Sequence, residues 1–495
     1  MHRLSFRRRA AVAICILVAL ALAATACGDP QVPIARSTNA ELLRATSEPV
    51  EPTATPLPTP TAEPTPEPGD EPTATPQAIV QPGLTEDTVR LAVIFDNETQ
   101  GTADELFRDA WLGMQAWANQ VNDNGGLGNR FVELVPIDSL LFDHRSALEE
   151  ACRGDFFAIV GSQSLGDGEG AELLGTDQCN LADFPGQVFG PRRAASPVTI
   201  LSNPFLNDIR QAGPARYLVD TFPEASANLG LLRYFELDLE VANERQREML
   251  IAQGMEVVFE LPVELEEDPA DRIVQRWEEL GAESLVWVAD PGRLIELLEA
   301  FEEPPAFVLC DWGCYSQQFL LDGGEAVEGV YTWIAHSDFE SPNARGDLFL
   351  YRANLLAVAP EAGWSEVGLQ SWMAGRLFEA AFNTLLEVEP ELPTREQLIE
   401  VSQQIDFYTA NGVLSATNPG GGQPTPCFVL MQVRDGRWLP AYPEPPRDLD
   451  CEESNLYELV TSRSLGVTTL STTSSEAQPT PEPQPDLENP EEIEE

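Results

Sequence analysis

The chain contains no lysine: all 29 of its basic residues are arginine. That absence excludes a Schiff-base lysine and the lysine of a Walker-type phosphate loop. Histidine is almost as scarce, with His2, His144 and His336 the full complement. Histidines so far apart lack the one-turn spacing of a zinc hydrolase, and no metal site is expected. No Gly-x-Ser-x-Gly elbow occurs either. Positive charge is heavily outweighed: 81 acidic residues leave a net charge of -52 and a pI of about 4.1. Such a chain repels nucleic acid. Acids are so abundant that a paired-carboxylate hydrolase has no distinguishing signal. The chain reads as a non-enzyme with no cofactor. After residue 24 no stretch is apolar and long enough to span a bilayer.

What is present falls into four parts. His2, Arg3, Arg7, Arg8 and Arg9 precede an apolar run from Ala10 to Ala24, the pattern of an export signal. The run closes on Ala24-Thr25-Ala26-Cys27-Gly28, which resembles the lipobox of bacterial lipoproteins. That resemblance implies a signal over 1–27 and acylation of Cys27, holding the protein outside the cell membrane of a bacterium. The lipobox usually has Leu three residues before the cysteine; here Ala24 stands there, with Leu22 two residues earlier. Residues 28–82 are rich in Pro, Thr and Glu and have too few apolar side chains for a core. They read as a disordered spacer of polyproline character, reaching on the order of 100 Å. Residues 466–495 read as an acidic disordered tail. Between them, 83–465 suits two lobes of ordinary domain size.

Of eight cysteines, Cys15 leaves with the signal and Cys27 is the expected anchor. The remaining six, Cys152, Cys179, Cys310, Cys314, Cys427 and Cys451, read as disulfides in an exported chain. Several connectivities are open; proximity in sequence favours 152–179, 310–314 and 427–451.

The globular part alternates strand and helix. Strand Val89–Phe95 precedes an amphipathic helix over about Ala103–Asn122, with Phe107, Ala110, Trp111, Met114, Ala118 and Val121 on one face. Strand Phe131–Ile137, helix Arg145–Cys152 and strand Phe156–Val160 follow, and Val198–Leu201 reads as another strand. A second series begins at Leu229, with helices stopped by Gly254 and Gly281 and strands ending at Asp290 and Cys310-Asp311. A long helix over about Val367–Leu386 comes next, then a hairpin around Asp435-Gly436. Repeated alternation predicts an α/β fold with two mostly parallel, doubly wound sheets.

The wording GLTEDTVRLAV, NDNGGLGNRFVELVPID and FFAIVGSQS, then AVEGVY, SWMAGRLFEAAF and CFVLMQVRDGRWLP, resembles the branched-chain amino acid and amide class of extracytoplasmic solute-binding proteins, the Leu/Ile/Val-binding type. The resemblance runs from Gly83 to about Pro440. It implies the type I periplasmic-binding fold, with three crossovers near 203–215, 336–345 and 408–422. Lobe 1 would comprise about 83–205 and 340–410, and lobe 2 about 206–339 and 420–445. It also implies a monomer that captures a small solute and passes it to an ABC permease, touching the membrane only through its lipid. A sensor component that signals through a partner protein is the alternative; an enzyme ranks below both.

In open α/β sheets, ligands sit beyond the C-terminal ends of the strands, where helix N-termini offer unpaired N–H groups. Those positions hold Asp96, Asn97, Ser162, Ser164, Ser202 and Asn203 in the first lobe. In the second they hold Tyr234, Asp290, Asp311, Trp312 and Tyr315. By the resemblance, Ser162 and Ser164 match hydroxyls that hold a ligand carboxylate, and Asp311 matches an acid that pairs with a ligand ammonium. The expected binding set is Asn97, Ser162, Ser164, Ser202, Asp290, Asp311 and Tyr315. Phe95-Asp96-Asn97-Glu98 departs from the aromatic that often follows the first strand in that class, which points away from a plain aliphatic amino acid.

Overall fold

Strand β1 (Thr88–Phe95) is buried along most of its length. Its Val89, Leu91, Val93 and Phe95 pack into one apolar cluster and its Ala92 and Ile94 into another. This two-sided apolarity is what a strand covered by helices on both faces requires. The chain was described from a computed structural model covering residues 81–460, apart from 98–102, 142, 206–208, 235–236, 264–268, 312, 341–345, 390–392 and 445–446. The expected signal, Cys27, the spacer, the tail and Trp312 lie outside the described residues.

The first lobe continues with α1 (Ala103–Asp123), β2 (Phe131–Asp138), α2 (His144–Arg153), β3 (Ala158–Val160), β4 (Ala182–Phe184) and the single turn α3 (Pro191–Ala194). Its four strands run parallel in the order β2-β1-β3-β4, with Leu91 opposite Leu134 and Ala158. The second lobe contains β5 (Ile209–Gln211), α4 (Gly213–Thr221), α5 (Pro223–Ser226), β6 (Leu229–Tyr234), α6 (Leu237–Ala252), β7 (Val257–Val263) and α7 (Ala270–Leu280). Then come β8 (Ser284–Val288), α8 (Pro291–Ala300), β9 (Val308–Cys310), α9 (Gln317–Gly323) and β10 (Tyr331–Ile334).

The chain then returns to the first lobe. Helices α10 (Asp347–Val358) and α11 (Glu366–Val388) pack against α1, and α12 (Arg395–Ser402) packs near β4. It crosses again to form β11 (Val429–Arg434) and β12 (Arg437–Tyr442), and β13 (Leu456–Glu458) pairs antiparallel with β5. The second sheet has the order β12-β11-β10-β9-β8-β6-β7, parallel except for the β10-β11-β12 edge. Two doubly wound lobes joined by three crossovers are therefore present; the strand–helix alternation predicted the two sheets, and the resemblance implied the crossovers.

Close packing of α1 on α11 fixes the long return helix. A Cβ on Gly113 would lie 2.0 Å from the carbonyl oxygen of Gly368, so only glycine permits that approach. Beside it Trp117, Trp372, Phe378 and Phe382 are fully buried. Trp117 rather than Trp111 is the buried indole of α1; Trp111 is partly exposed and stacks on Phe95. The segment 198–201 is not a strand. It makes one bridge, Asp183 with Thr199, before the chain leaves the sheet for the first crossover.

Three disulfides join Cys152 to Cys179, Cys310 to Cys314 and Cys427 to Cys451. Among the described residues no helix is long and apolar enough to cross a membrane.

Candidate functional site

The crossovers are bonded to one another, and they form one side of a cavity of about 220 Å³ that receives residues from both lobes. The Thr417 hydroxyl donates to the Ser202 carbonyl at 2.8 Å, and the Ser337 N–H donates to the Val413 carbonyl at 2.9 Å. Ser202, Asn203 and Phe205 line the cavity from the first crossover, Ala335 and His336 from the second, and Leu414 from the third.

Part of the first-lobe wall is Leu165 and the segment Gly186–Phe189. Buried carboxyls hold both pieces by their backbone N–H groups. Asp96 accepts from the Leu165 N–H at 3.0 Å and also from the Ser139 hydroxyl. Asp167 accepts from the N–H groups of Phe189 and Gly190. Burial pushes Asp167 up to about 7, although the Arg193 guanidinium opposes that shift. Arg193 makes a two-pronged bond to Asp183 at 2.9 and 2.7 Å and is itself fully buried. These charges brace the wall from behind.

The chemistry is shared between the second-lobe wall and the first turn of α11, which belongs to the first lobe. Asp311 follows β9, on the short loop closed by the Cys310–Cys314 disulfide. Its Oδ1 accepts from the Trp333 indole N–H at 2.9 Å, and Gln246 of α6 also bonds to the carboxyl. Burial raises its pKa, opposed by those bonds and by Arg210. Glu366 approaches from the first residue of α11. Ser365 caps that helix, accepting from the Gly368 N–H at 3.1 Å. A helix N-terminus favours a carboxylate. Here burial wins, and with the charge of Asp311 it pushes Glu366 up to about 8, against the bond from Gln370. Both carboxyls keep part of their surface on the cavity.

His336 completes this side. Its Nδ1 is 2.8 Å from the Ser337 carbonyl, so Nδ1 carries the proton and Nε2 presents a lone pair. That Nε2 is buried and has no hydrogen-bond partner among the described residues. Burial pulls the imidazole down to about 4, so it is neutral. Arg210, Asn243 and Gln370 add further polar groups, while Leu165, Leu201, Val288, Met373 and Trp333 supply apolar surface. One guanidinium, two carboxyls and several amides around an apolar space suit a small solute with both polar and apolar parts.

Of the seven expected binding residues, Ser202 and Asp311 line this cavity, as does Asn203. The other five do not. Ser162 is fully buried, and its Oγ accepts from the Ile94 N–H at 3.0 Å. Ser164 is buried against His144, with Oγ 2.8 Å from Nδ1. Both belong to a turn that Gln163 ties to α11 through bonds to the Val367 carbonyl and Ser371. Asp290 caps α8, accepting from the Arg293 N–H at 2.9 Å. Tyr315 donates to Asp338 at 2.6 Å and lies inside an aromatic cluster with Phe339, Trp364 and Trp438. Asn97 is exposed, with its N–H on Asp138. Backbone bonds, helix capping and core packing occupy the side chains of Ser162, Ser164, Asp290 and Tyr315, while Asn97 stands on the surface away from the cavity.

No family model matches the sequence, and no curated protein matches it. Solved structures do. A fatty acid ABC transporter substrate-binding protein from Thermomonospora curvata superposes with a TM-score of 0.62 at 17% identity, covering 76% of this chain and 95% of that one. A solute binding protein of an ABC transporter from R. palustris, in complex with 4-hydroxybenzoate, gives 0.59 at 15% identity, covering 72% and 96%. The branched-chain amino acid transporter substrate binding protein of Streptococcus pneumoniae, in complex with isoleucine, gives 0.57 at 12% identity, covering 71% and 98%. The fold is that of the type I periplasmic binding proteins. The cavity described above lies between its two lobes.

Arg210, Glu366, Gln370, Trp333 and His336 were not legible as site residues. Glu366 and Gln370 sit on a helix whose length and apolar stripe announce only packing. Arg210 and Trp333 lie on strands, where their residue types carry no special signal. His336 drew notice only as a possible metal ligand, which its isolation in sequence excluded.

Proposed function

We propose that this chain is an extracytoplasmic receptor that binds a small polar solute, amino acid-like or amide-like, between its lobes and delivers it to an ABC importer. The observation that carries the reading is the cavity itself: polar groups of both lobes face one apolar-walled space at the crossovers. Lobe closure about those crossovers is a hinge motion that would bury the solute. Asp311 and Ser202 belong to the proposed contacts, joined by Arg210, Glu366 and Gln370. Lipidation of Cys27 would keep the receptor beside its permease.

The test is thermal unfolding of the chain from Gly83 onward against amino acids, amides, guanidino compounds, polyamines and small carboxylates. A solute at about 100 times its Kd should add roughly 2.7 kcal/mol, a shift of a few degrees. Stabilisation confined to one chemical class, lost in Asp311→Ala, supports the receptor. No shift with any class at millimolar concentration sinks it. Replacing Cys27 with serine should release the protein from the membrane fraction; retention there would refute the anchor.

A further inference from the structure

Residues 450–458 lie across the hinges. Strand β13 pairs antiparallel with β5 of the first crossover, with Leu456 opposite Gln211, Tyr457 opposite Arg210 and Glu458 opposite Ile209. Buried Asn455, just before β13, is the junction. Its carbonyl accepts from the Ala212 N–H at 2.7 Å and its Oδ1 from Arg216 at 2.7 Å. Its Nδ2 donates to the carbonyls of Pro426 and Asp450, both at 3.2 Å. Pro426 follows the third crossover, and Gln211 of β5 donates to the same carbonyl at 3.3 Å. Phe428 and Asp450 exchange two backbone bonds of 2.9 Å. This strap therefore ties the first crossover to the end of the third. Strand β5 also carries Arg210, which lines the solute cavity.

One covalent bond latches the strap, the disulfide between Cys427 and Cys451. The six paired cysteines differ in access. Cys310 and Cys314 are fully buried, Cys179 and Cys427 are buried, Cys152 is partly covered, and Cys451 is exposed. Thiol–disulfide exchange requires a thiolate to reach a sulfur, so exposure singles out this bond. We propose that Cys427–Cys451 is a redox-sensitive latch on the hinges. Closed, it holds the strap so that β5 and Arg210 are fixed against the third crossover; a dithiol reductant opens it and frees them. A thiolate of the dithiol attacks the Cys451 sulfur, the bond between the cysteines breaks, and Cys427 leaves as a thiolate and takes up a proton. The second thiol then closes the reductant's own disulfide and releases Cys451 as a thiol, so two electrons and two protons pass from the dithiol to the two cysteines. The proposal rests on the receptor reading above for what the hinge does. Its test uses no solute, so the two fail separately.

The experiment has two readouts on the full chain. Dithiothreitol is titrated onto the folded protein, free thiols are alkylated, and the labelled cysteines are mapped by peptide mass spectrometry. Cys427 and Cys451 should become labelled at about a tenfold lower concentration than the other four. Hydrogen exchange is then compared between wild type and the double variant Cys427→Ser, Cys451→Ser. Amides of residues 209–212 and 426–428 should exchange about tenfold or more faster in the variant, with those of β1 and β8 unchanged, because local opening need not cost global stability. Should the double variant fail to fold, wild type at the dithiothreitol level that opens only Cys427–Cys451 supplies the same comparison. Opening of another disulfide first or at the same concentration overturns the proposal, as does unchanged exchange at 209–212 once the latch is open. Equal acceleration in β1 and β8 also overturns it, since the disulfide would then be a staple of the whole fold.

Discussion

Glutamate 366 offers the sharpest test of the site's electrostatics. Its carboxyl sits at the first turn of α11, facing Asp311 across the cavity, and is pushed up from 4.5 to about 8. Between those values the folded chain holds a proton that the unfolded chain has released. Wild-type stability therefore falls as pH rises through that window and levels off above it. Glutamine has the same shape, carries no charge and titrates nowhere. Glu366→Gln should thus be neutral near pH 4 and increasingly stabilising above it. The full span corresponds to roughly 5 kcal/mol. The partial exposure of Glu366 on the cavity discounts that figure, so we expect a gain of about 2–5 kcal/mol at pH 9 and under about 1 kcal/mol at pH 5. Urea unfolding followed by tryptophan fluorescence at pH 5, 7 and 9 measures it. The raised carboxyls Asp96, Asp167 and Asp338 and the large net negative charge act nearly equally on both proteins, so the difference reports Glu366 together with its coupling to Asp311. Parallel stability curves across the three pH values would refute the reasoning, because they would mean that Glu366 is ionised in the fold.

Three further outcomes follow from the packing. Ser162→Ala and Ser164→Ala should each lower stability by about 1–3 kcal/mol through lost buried bonds, with solute affinity unchanged; a selective loss of affinity would return them to the site. Asp183→Asn should cost about 3–5 kcal/mol by leaving Arg193 short of its buried partner, seen as a lowered denaturation midpoint; a change under about 1 kcal/mol would deny the wall its ionic brace. Gly113→Val should prevent folding or lower the thermal midpoint by many degrees, because its side chain meets the Gly368 carbonyl; a wild-type midpoint would mean that α1 and α11 do not approach so closely.

Much of the fold was readable because the signals are local. Alternation of apolar strand and amphipathic helix marks β1, α1, β2 and the series from β6 to β9 without reference to anything distant. Three-residue elements such as β4, β5 and β13 escaped, since so few residues carry no period. Site residues were read by the rule that ligands meet strand ends, and that rule names positions without naming directions. It placed Asp311 and Ser202 at the cavity. It also offered Ser162, Ser164, Asp290 and Tyr315, whose side chains bond a backbone N–H, a histidine, a helix N-terminus and a half-buried aspartate, and Asn97, which is exposed.

The sequence by itself determined the fold class, the two strand–helix series, the run of the long return helix and the proximity of the paired cysteines. Periodicity, turn residues and loop length are properties of neighbours along the chain. Tertiary structure alone decided which polar groups share a cavity. Arg210, Asp311, Trp333, His336 and Glu366 come from a strand, a loop, another strand, a crossover and a helix that are far apart in sequence. Their pKa shifts, orphan lone pair and mutual repulsion exist only once the crossovers bring the two lobes around one space, because burial and through-space charge depend on distance in the fold and not along the chain.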